Sequence, residues 1–276
     1  MVVVADILYD DIFYNYDERP VRWQGRVTER VETDAVTFAR ERLGFEPDER
    51  QAAVLRSGAR RGILNCSRQW GKSTVTAAKA VHRAYTRPGA LVLVASPSER
   101  QSAGFVRKAA EMVGRLGIAA RGDGDNPMSL LLPNGSRIVG LPGTEATVRG
   151  FSAVSMIVID EASRVEDSMY KALRPMLAVG NGDLWLMSTP CGKRGFFYET
   201  WEFGGPMWEK VAVRATECPR IPMAFLEEQL AEMGQAWFEQ EFLCGFVENG
   251  TNVFAREMVE RALDDTVKPL FPGSGW

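Results

Sequence analysis

The sequence predicts an α/β fold, a mostly parallel sheet flanked by helices, with a small helical subdomain toward the C-terminus. Three observations carry that prediction. From Arg61 onward short apolar runs alternate with helical patterns, the alternation that crossover connections between parallel strands produce. Two of these runs end in polar groups suited to chemistry at a strand edge: Ile63 to Asn65 leads into Gly71-Lys72-Ser73-Thr74, and Met156 to Ile159 ends in Asp160-Glu161. After Thr216 the strand pattern stops and helical patterns take over.

The elements follow in order. Residues 1–26 are aromatic and acidic, five acids against one base through Pro20, and read as a solvated arm. Val31, Ala35, Phe38 and Leu43 recur near helical spacing, so a helix over 28–43 leads into Gly44-Phe45-Glu46-Pro47. Strands are expected at 63–65, 91–96, 154–159 and 183–187. A helix from Ser73 to about Tyr85 packs through Val75, Ala78 and Val81. Ser98 to Leu116 forms an amphipathic helix, with Phe105, Val106, Ala109, Met112, Val113 and Leu116 on one side. Its other side carries Arg100, Arg107, Lys108 and Arg115, interrupted by Glu111, and reads as a solvated face. Leu130 to Leu132 and Arg137 to Leu141 flank Pro133-Asn134-Gly135-Ser136, the pattern of a hairpin. Helices over 222–233, 235–243 and 255–263 complete the chain. The resulting division is an N-terminal arm and helix (1–44), a core (45–216) and a helical lid or linker subdomain (217–276).

Composition narrows the chemistry. The chain has 276 residues, 45% hydrophobic, with a formal net charge of -3 and a pI near 5.5, so no global positive field announces nucleic acid. Cys66, Cys191, Cys218 and Cys244 are scattered, without metal spacing, and read as reduced thiols. The single histidine, His82, lies on the helix after the Gly-Lys-Ser-Thr turn, which leaves Ser-His-Asp and zinc chemistry without raw material. Met1 to Ala5 is too short for a signal-peptide core, and no run approaches 18 apolar residues.

What remains is phosphate chemistry. A phosphate-binding loop needs converging backbone N–H groups, a helix N-terminus behind them, a lysine for β/γ oxygens and a hydroxyl for Mg²⁺. Ser67-Arg68-Gln69-Trp70-Gly71-Lys72-Ser73-Thr74 offers all four, although the usual pattern would place its first glycine at Cys66. ATP would then lie on the Gly71 to Thr74 backbone with Lys72 on its β and γ phosphates. Mg²⁺ would sit between Ser73 and Asp160, and Glu161 would orient the attacking water. The strand at 91–96 lies between the two site-bearing strands in sequence. Placed between them in space as well, it would put the sheet in the additional-strand, catalytic-glutamate division of P-loop NTPases.

The loop, with an arginine at 68, resembles that of the large terminase subunits that package DNA into tailed-phage and herpesvirus capsids. Other stretches are similar to that family in order and spacing. Phe45 to Gln51 looks like its adenine-side motif, Arg149-Gly150-Phe151 like its arginine-bearing segment, and Ser188-Thr189-Pro190 like its coupling motif. Glu241-Phe242-Leu243 with Asn252-Val253-Phe254 resembles the end of its linker.

The resemblance implies an ATPase motor domain driving double-stranded DNA into a procapsid, with Gln51 reading the base and Arg149 completing a neighbour's site in a ring, pentameric when docked. Arg68 is the competing arginine, acting in its own site, and Thr189 would report the γ-phosphate state. Portal protein, small terminase subunit and a separate nuclease domain or chain are the implied partners, in the host cytoplasm. The family's nuclease domain has no room before Trp276, so no nuclease activity is expected. A helicase-like or restriction-type translocase and an ATP-gated assembly protein remain the alternatives.

Overall fold

The structure, a computed structural model, describes residues 34–118, 121–122, 128–141 and 150–248. Its elements in chain order are α1 (Ala35–Glu41), α2 (Glu49–Arg56), β1 (Arg61–Cys66), α3 (Lys72–Thr86), β2 (Leu91–Ala95), α4 (Glu99–Arg115), β3 (Ser129–Leu131) and β4 (Arg137–Gly140). Then follow β5 (Met156–Asp160), α5 (Asp167–Leu173), α6 (Leu177–Gly180), β6 (Asp183–Ser188), α7 (Gly195–Phe203), β7 (Glu209–Val213), α8 (Met223–Met233) and α9 (Gln235–Phe242). Of the helix expected over 28–43, residues 28–33 lie outside the described residues and α1 lies within the remainder; the helix expected over 255–263 lies wholly outside them.

Seven strands form one sheet in the order β3-β4-β2-β5-β6-β1-β7, parallel except for β3, which pairs antiparallel with β4 as the hairpin pattern predicts. Alternation along each strand divides the core in two. Leu64, Val92, Val94, Met156, Val158, Trp185 and Met187 face the cluster built with α1 to α4. Ile63, Leu93, Ile157, Ile159, Leu184 and Leu186 face the cluster that includes residues of α5 to α7. Burial on both faces is why these strands are almost unbroken apolar runs. At Gly62 the register puts Trp185 opposite, and a Cβ on Gly62 would lie 2.5 Å from the Trp185 ring. Trp185 in turn lies under Lys79 Nζ, 4.6 Å from the ring centroid.

Two expectations need correction. The strand between the site-bearing strands is β6, not the strand at 91–96: β6 pairs with β1 on one side and β5 on the other, while β2 lies beyond β5. The additional-strand architecture therefore holds through a different strand, because β6 arrives by a crossover that returns over the sheet to fill the gap between its predecessors. An edge strand, β7, was also hidden in the sequence. It pairs parallel with β1, and only its last residue, Val213, is buried, so its polar residues mask it.

The N-terminal helix belongs to the main core, since Val36, Phe38, Ala39 and Leu43 join the same cluster as Leu64 and Val81. The C-terminal helices make a small cluster of their own, Ala215, Leu226, Phe238 and Phe242, and Ile221 packs against both clusters.

Candidate functional site

The C-terminal edge of the sheet collects Ser67, Asp160, Glu161, Ser188 and Thr189. β1 ends at Cys66, and the loop then turns into α3, whose first residue is Lys72. Left-handed backbone occurs at Gln69, φ 64°, and at Gly71, φ 99°. Cys66 is not among the positive-φ residues, so a side chain is tolerated where the usual pattern has glycine. Its thiol is buried 3.8 Å from the Val211 carbonyl, and burial pushes its pKa far up. At Gly71 the requirement is strict, because a Cβ there would lie 2.8 Å from Nε2 of Gln51.

Among the described residues, the N–H groups of Gln69, Trp70 and Gly71 donate to no backbone carbonyl. Those of Lys72 and Ser73 are first-turn donors of α3, with no intrahelical partner. This is a concave set of donors at the positive end of a fifteen-residue helix, which suits an anion. Lys72 is 7% exposed and donates to the carbonyls of Cys66 (2.8 Å) and Ser67 (2.9 Å). The Ser67 hydroxyl is buried and has no partner among the described residues. Thr74 accepts from Lys108 Nζ at 3.2 Å, so one member of the basic stripe on α4 is turned toward α3. Arg115 donates to Leu43 O at 2.6 Å, while Arg100 and Arg107 stay exposed.

β5 delivers the acids. Asp160 is 8% exposed, with Oδ2 3.3 Å from Ser73 Oγ and Oδ1 accepting from the Glu161 N–H at 2.9 Å. Burial, reinforced by the Glu161 charge, pushes its pKa up to about 6. Glu161 takes left-handed backbone, φ 51°, uncommon for a residue with a side chain and a sign that the surroundings hold it there. Ser188 ends β6 next to β5, and Ser163 Oγ lies 2.8 Å from both Ser188 Oγ and Thr189 O. Pro190 follows, buried. Arg149 lies outside the described residues.

Gln51 lies against the phosphate loop. It is 3% exposed, its Oε1 accepts from the Asp48 N–H at 3.0 Å, and its Nε2 donates to Trp70 O at 2.8 Å. Both ends of the amide thus serve the capping box of α2 and the phosphate loop.

Two residues to which sequence reasoning gave no role at the loop tie the site together. Arg164 donates to Glu161 (3.1 Å), to Thr189 Oγ1 (3.2 Å) and to Glu241 (3.1 Å). Glu241 is 1% exposed on α9 and also accepts from Arg68. The short spacing from Glu161 to Arg164 was visible in the sequence; Glu241 stood out only within the linker-like stretch Glu241-Phe242-Leu243, and nothing there pointed to Arg68, 173 positions away.

The family model for the N-terminal part of the T4likevirus-type terminase large subunit matches residues 63–261. The chain belongs to that family. Large terminase subunits of Thermus virus P23-45 and Thermus phage G20c are each 29% identical to this terminase chain, over 183 and 188 residues. Each match covers 59% of this chain and 38% of the relative, so the chain spans little more than a third of their length. Among solved structures, the large terminase ATPase domain of Thermus phage P74-26 has a TM-score of 0.68 at 24% identity, covering 76% of this chain and 97% of that one. The large terminase of bacteriophage D6E in complex with ATP-γ-S has a TM-score of 0.61 at 13% identity, covering 72% and 52%. At such identities the likeness establishes the fold, a P-loop NTPase sheet. No helix among the described residues of this terminase chain is long and apolar enough to cross a membrane.

Proposed function

We propose that the chain is the ATP-hydrolysing part of a tailed-phage DNA-packaging motor that drives double-stranded DNA into a procapsid. The observation that carries this reading is Asp160, a buried carboxylate 3.3 Å from Ser73 Oγ, next to Glu161 and beside a loop of unpaired N–H groups. The two hard oxygen donors fit Mg²⁺, which keeps several positions for water and phosphate oxygens. A carboxyl whose pKa is raised to about 6 by burial marks a site short of positive charge, which supports the fit. Bound there, the ion would neutralise charge developing on the phosphoryl oxygens.

The chain's own residues do the rest. The N–H groups of Gln69 to Ser73 hold the β-phosphate, and Lys72 leaves the Cys66 and Ser67 carbonyls for the β and γ oxygens. The unpartnered Ser67 hydroxyl supplies a further donor at the loop, and Thr74 lies next in line on α3. Glu161 orients water for in-line attack on the γ-phosphorus and takes its proton. Thr189 reads γ-phosphate occupancy through Arg164, between Ser188 and Pro190 at the end of β6. Arg149 acts in a neighbouring subunit of a ring assembled on the portal, with the small subunit and a nuclease domain or chain as further partners. Arg68 serves its own site, a role supported by its bond to Glu241 of the same chain.

ATP turnover measured alone, with double-stranded DNA, and with DNA plus portal-bearing procapsids tests the reading. Stimulation that needs both DNA and portal is expected. Turnover indifferent to both would move the chain to an ATP-gated assembly protein, and stimulation by DNA without portal to a helicase-like or restriction-type translocase.

A further inference from the structure

The peptide between Trp70 and Gly71 is held with unusual completeness. Trp70 O accepts from Gln51 Nε2 at 2.8 Å and from an Arg220 guanidinium nitrogen at 2.7 Å. The same Arg220 nitrogen lies 3.0 Å from Asp48 Oδ2, while Asp48 Oδ1 accepts from the Gln51 N–H at 2.8 Å. Asp48, Gln51 and Arg220 therefore close a ring around one carbonyl. In a trans peptide the N–H points opposite to the C=O. Fixing the carbonyl toward Arg220 and Gln51 aims the Gly71 N–H the other way, into the set of unpaired loop donors.

Arg220 does not belong to the loop, to α3 or to the sheet. It sits in the turn between β7 and α8, where Cys218 is buried in the main cluster and Ile221 packs against both clusters. Its position is thus set by how the C-terminal helices seat on the core. An Arg220 drawn away would leave the peptide with Gln51 alone and the Gly71 N–H free to rock.

We propose that Arg220 is a positioning residue: it aims the Gly71 N–H at the β-phosphate and links retention of a nucleoside diphosphate to the seating of the C-terminal helices. The inference rests on the nucleotide reading of the loop. Because the contact is to the β-phosphate, it concerns ADP and ATP alike and AMP not at all. It acts after docking, so its loss appears in dissociation and not in encounter.

Stopped-flow release of a fluorescent ADP from the full chain tests it. Arg220→Ala should release ADP about 3- to 10-fold faster, with the association rate within about twofold of wild type, the size expected for one half-exposed, charge-assisted bond. Arg220→Lys, one donor on a flexible stem, should restore only part. The apo melting temperature should stay within about 2 °C, since a surface side chain contributes little to folding. The loss should persist in about 0.5 M potassium chloride, where attraction acting through solvent is screened. Competition by AMP should be the same in all three proteins. Wild-type release rates in Arg220→Ala, a defect that disappears at high salt, or equal weakening of AMP would overturn the positioning role. Failure of wild-type protein to bind ADP any better than Lys72→Ala would overturn the nucleotide site itself.

Discussion

Replacing Asp160 with asparagine should make the metal-free chain more stable while destroying its use. The Asp160 carboxyl titrates at about 6 instead of its ordinary 3.8 because burial, then the Glu161 charge, disfavour its ionised form. With a raised folded pKa the sign is fixed. Below about pH 4 both folded and unfolded chains are protonated there and nothing is lost. Between about 4 and 6 the unfolded chain releases its proton first, and above about 6 the full cost is present. Two pKa units correspond to about 3 kcal/mol, already net of the attraction to Lys72, and allowing for imperfect replacement by the amide a gain of about 1 to 3 kcal/mol is expected near pH 7.5. Asparagine keeps an oxygen for the Glu161 N–H and removes the charge. For a domain of this size the gain corresponds to a melting temperature raised by about 3 to 10 °C. Melts with a chelator at pH 7.5 and at pH 4.5 measure it, and the advantage should vanish at the lower pH. Equal melting of the two proteins at pH 7.5, or an equal advantage at both pH values, would refute the assignment of strain to this carboxylate. With Mg²⁺ and ATP the order should reverse, since only the wild type gains stability from ligand.

Glu161→Ala should retain ATP binding and lose at least about 100-fold in turnover, whereas Lys72→Ala should lose binding too; equilibrium binding and single-turnover hydrolysis separate them. Gly71→Ala, forced to φ 99° with its Cβ 2.8 Å from Gln51 Nε2, should weaken ADP binding by about tenfold or more, read by calorimetry. Lys79 is buried, donating to the carbonyls of Val54 and Ser57, and desolvation lowers its pKa to about 8. The unfolded chain therefore holds more protons between about pH 8 and 10.5, so wild-type stability relative to Lys79→Met should climb across that window in denaturant titrations. A mixture of Arg149→Ala and Glu161→Ala chains on portal-bearing procapsids should regain part of the ATPase activity if Arg149 acts between subunits, and Arg68→Ala mixed with Glu161→Ala should not.

The sheet was legible because its strands are buried on both faces and its apolar runs stand out between helical patterns; β7, with Glu209 and Lys210 on an edge, gave no such contrast. The strand order was not legible, since sequence adjacency says nothing about which gap a later strand fills, and β6 filled the one assigned to β2. In the candidate site, residues whose placement is set locally were legible: Gly71 by its turn, Lys72 and Ser73 by the helix start, and Asp160-Glu161 by the strand end. Residues whose contacts depend on a distant partner were given no place at the loop. Glu241 and Arg220 became part of the site only because helices more than 140 positions later fold back on the loop. Gln51 was singled out, but its bonds to the capping box and to a loop carbonyl were not foreseen.

The return of α9 to β1 bears on how the chain matures. Arg68 meets Glu241 across 173 positions, and Asn65 donates to Cys244 O at 3.0 Å across 179. Contacts of such separation close long loops, at an entropic cost that grows slowly with loop length. A growing chain that has emerged only through β7 has its strands but not the carboxylate that Arg68 and Arg164 share, nor the arginine that holds Trp70. The contacts that Arg68, Arg164 and Trp70 make at this edge of the sheet are thus completed only once residues 220–244 are in place. A gene fragment cut at residue 216, where the strand pattern ends, would leave Arg68 without its carboxylate partner and Arg164 with Glu161 as its one remaining carboxylate; a fragment that keeps both pairings and the Asn65 bond must continue past Cys244.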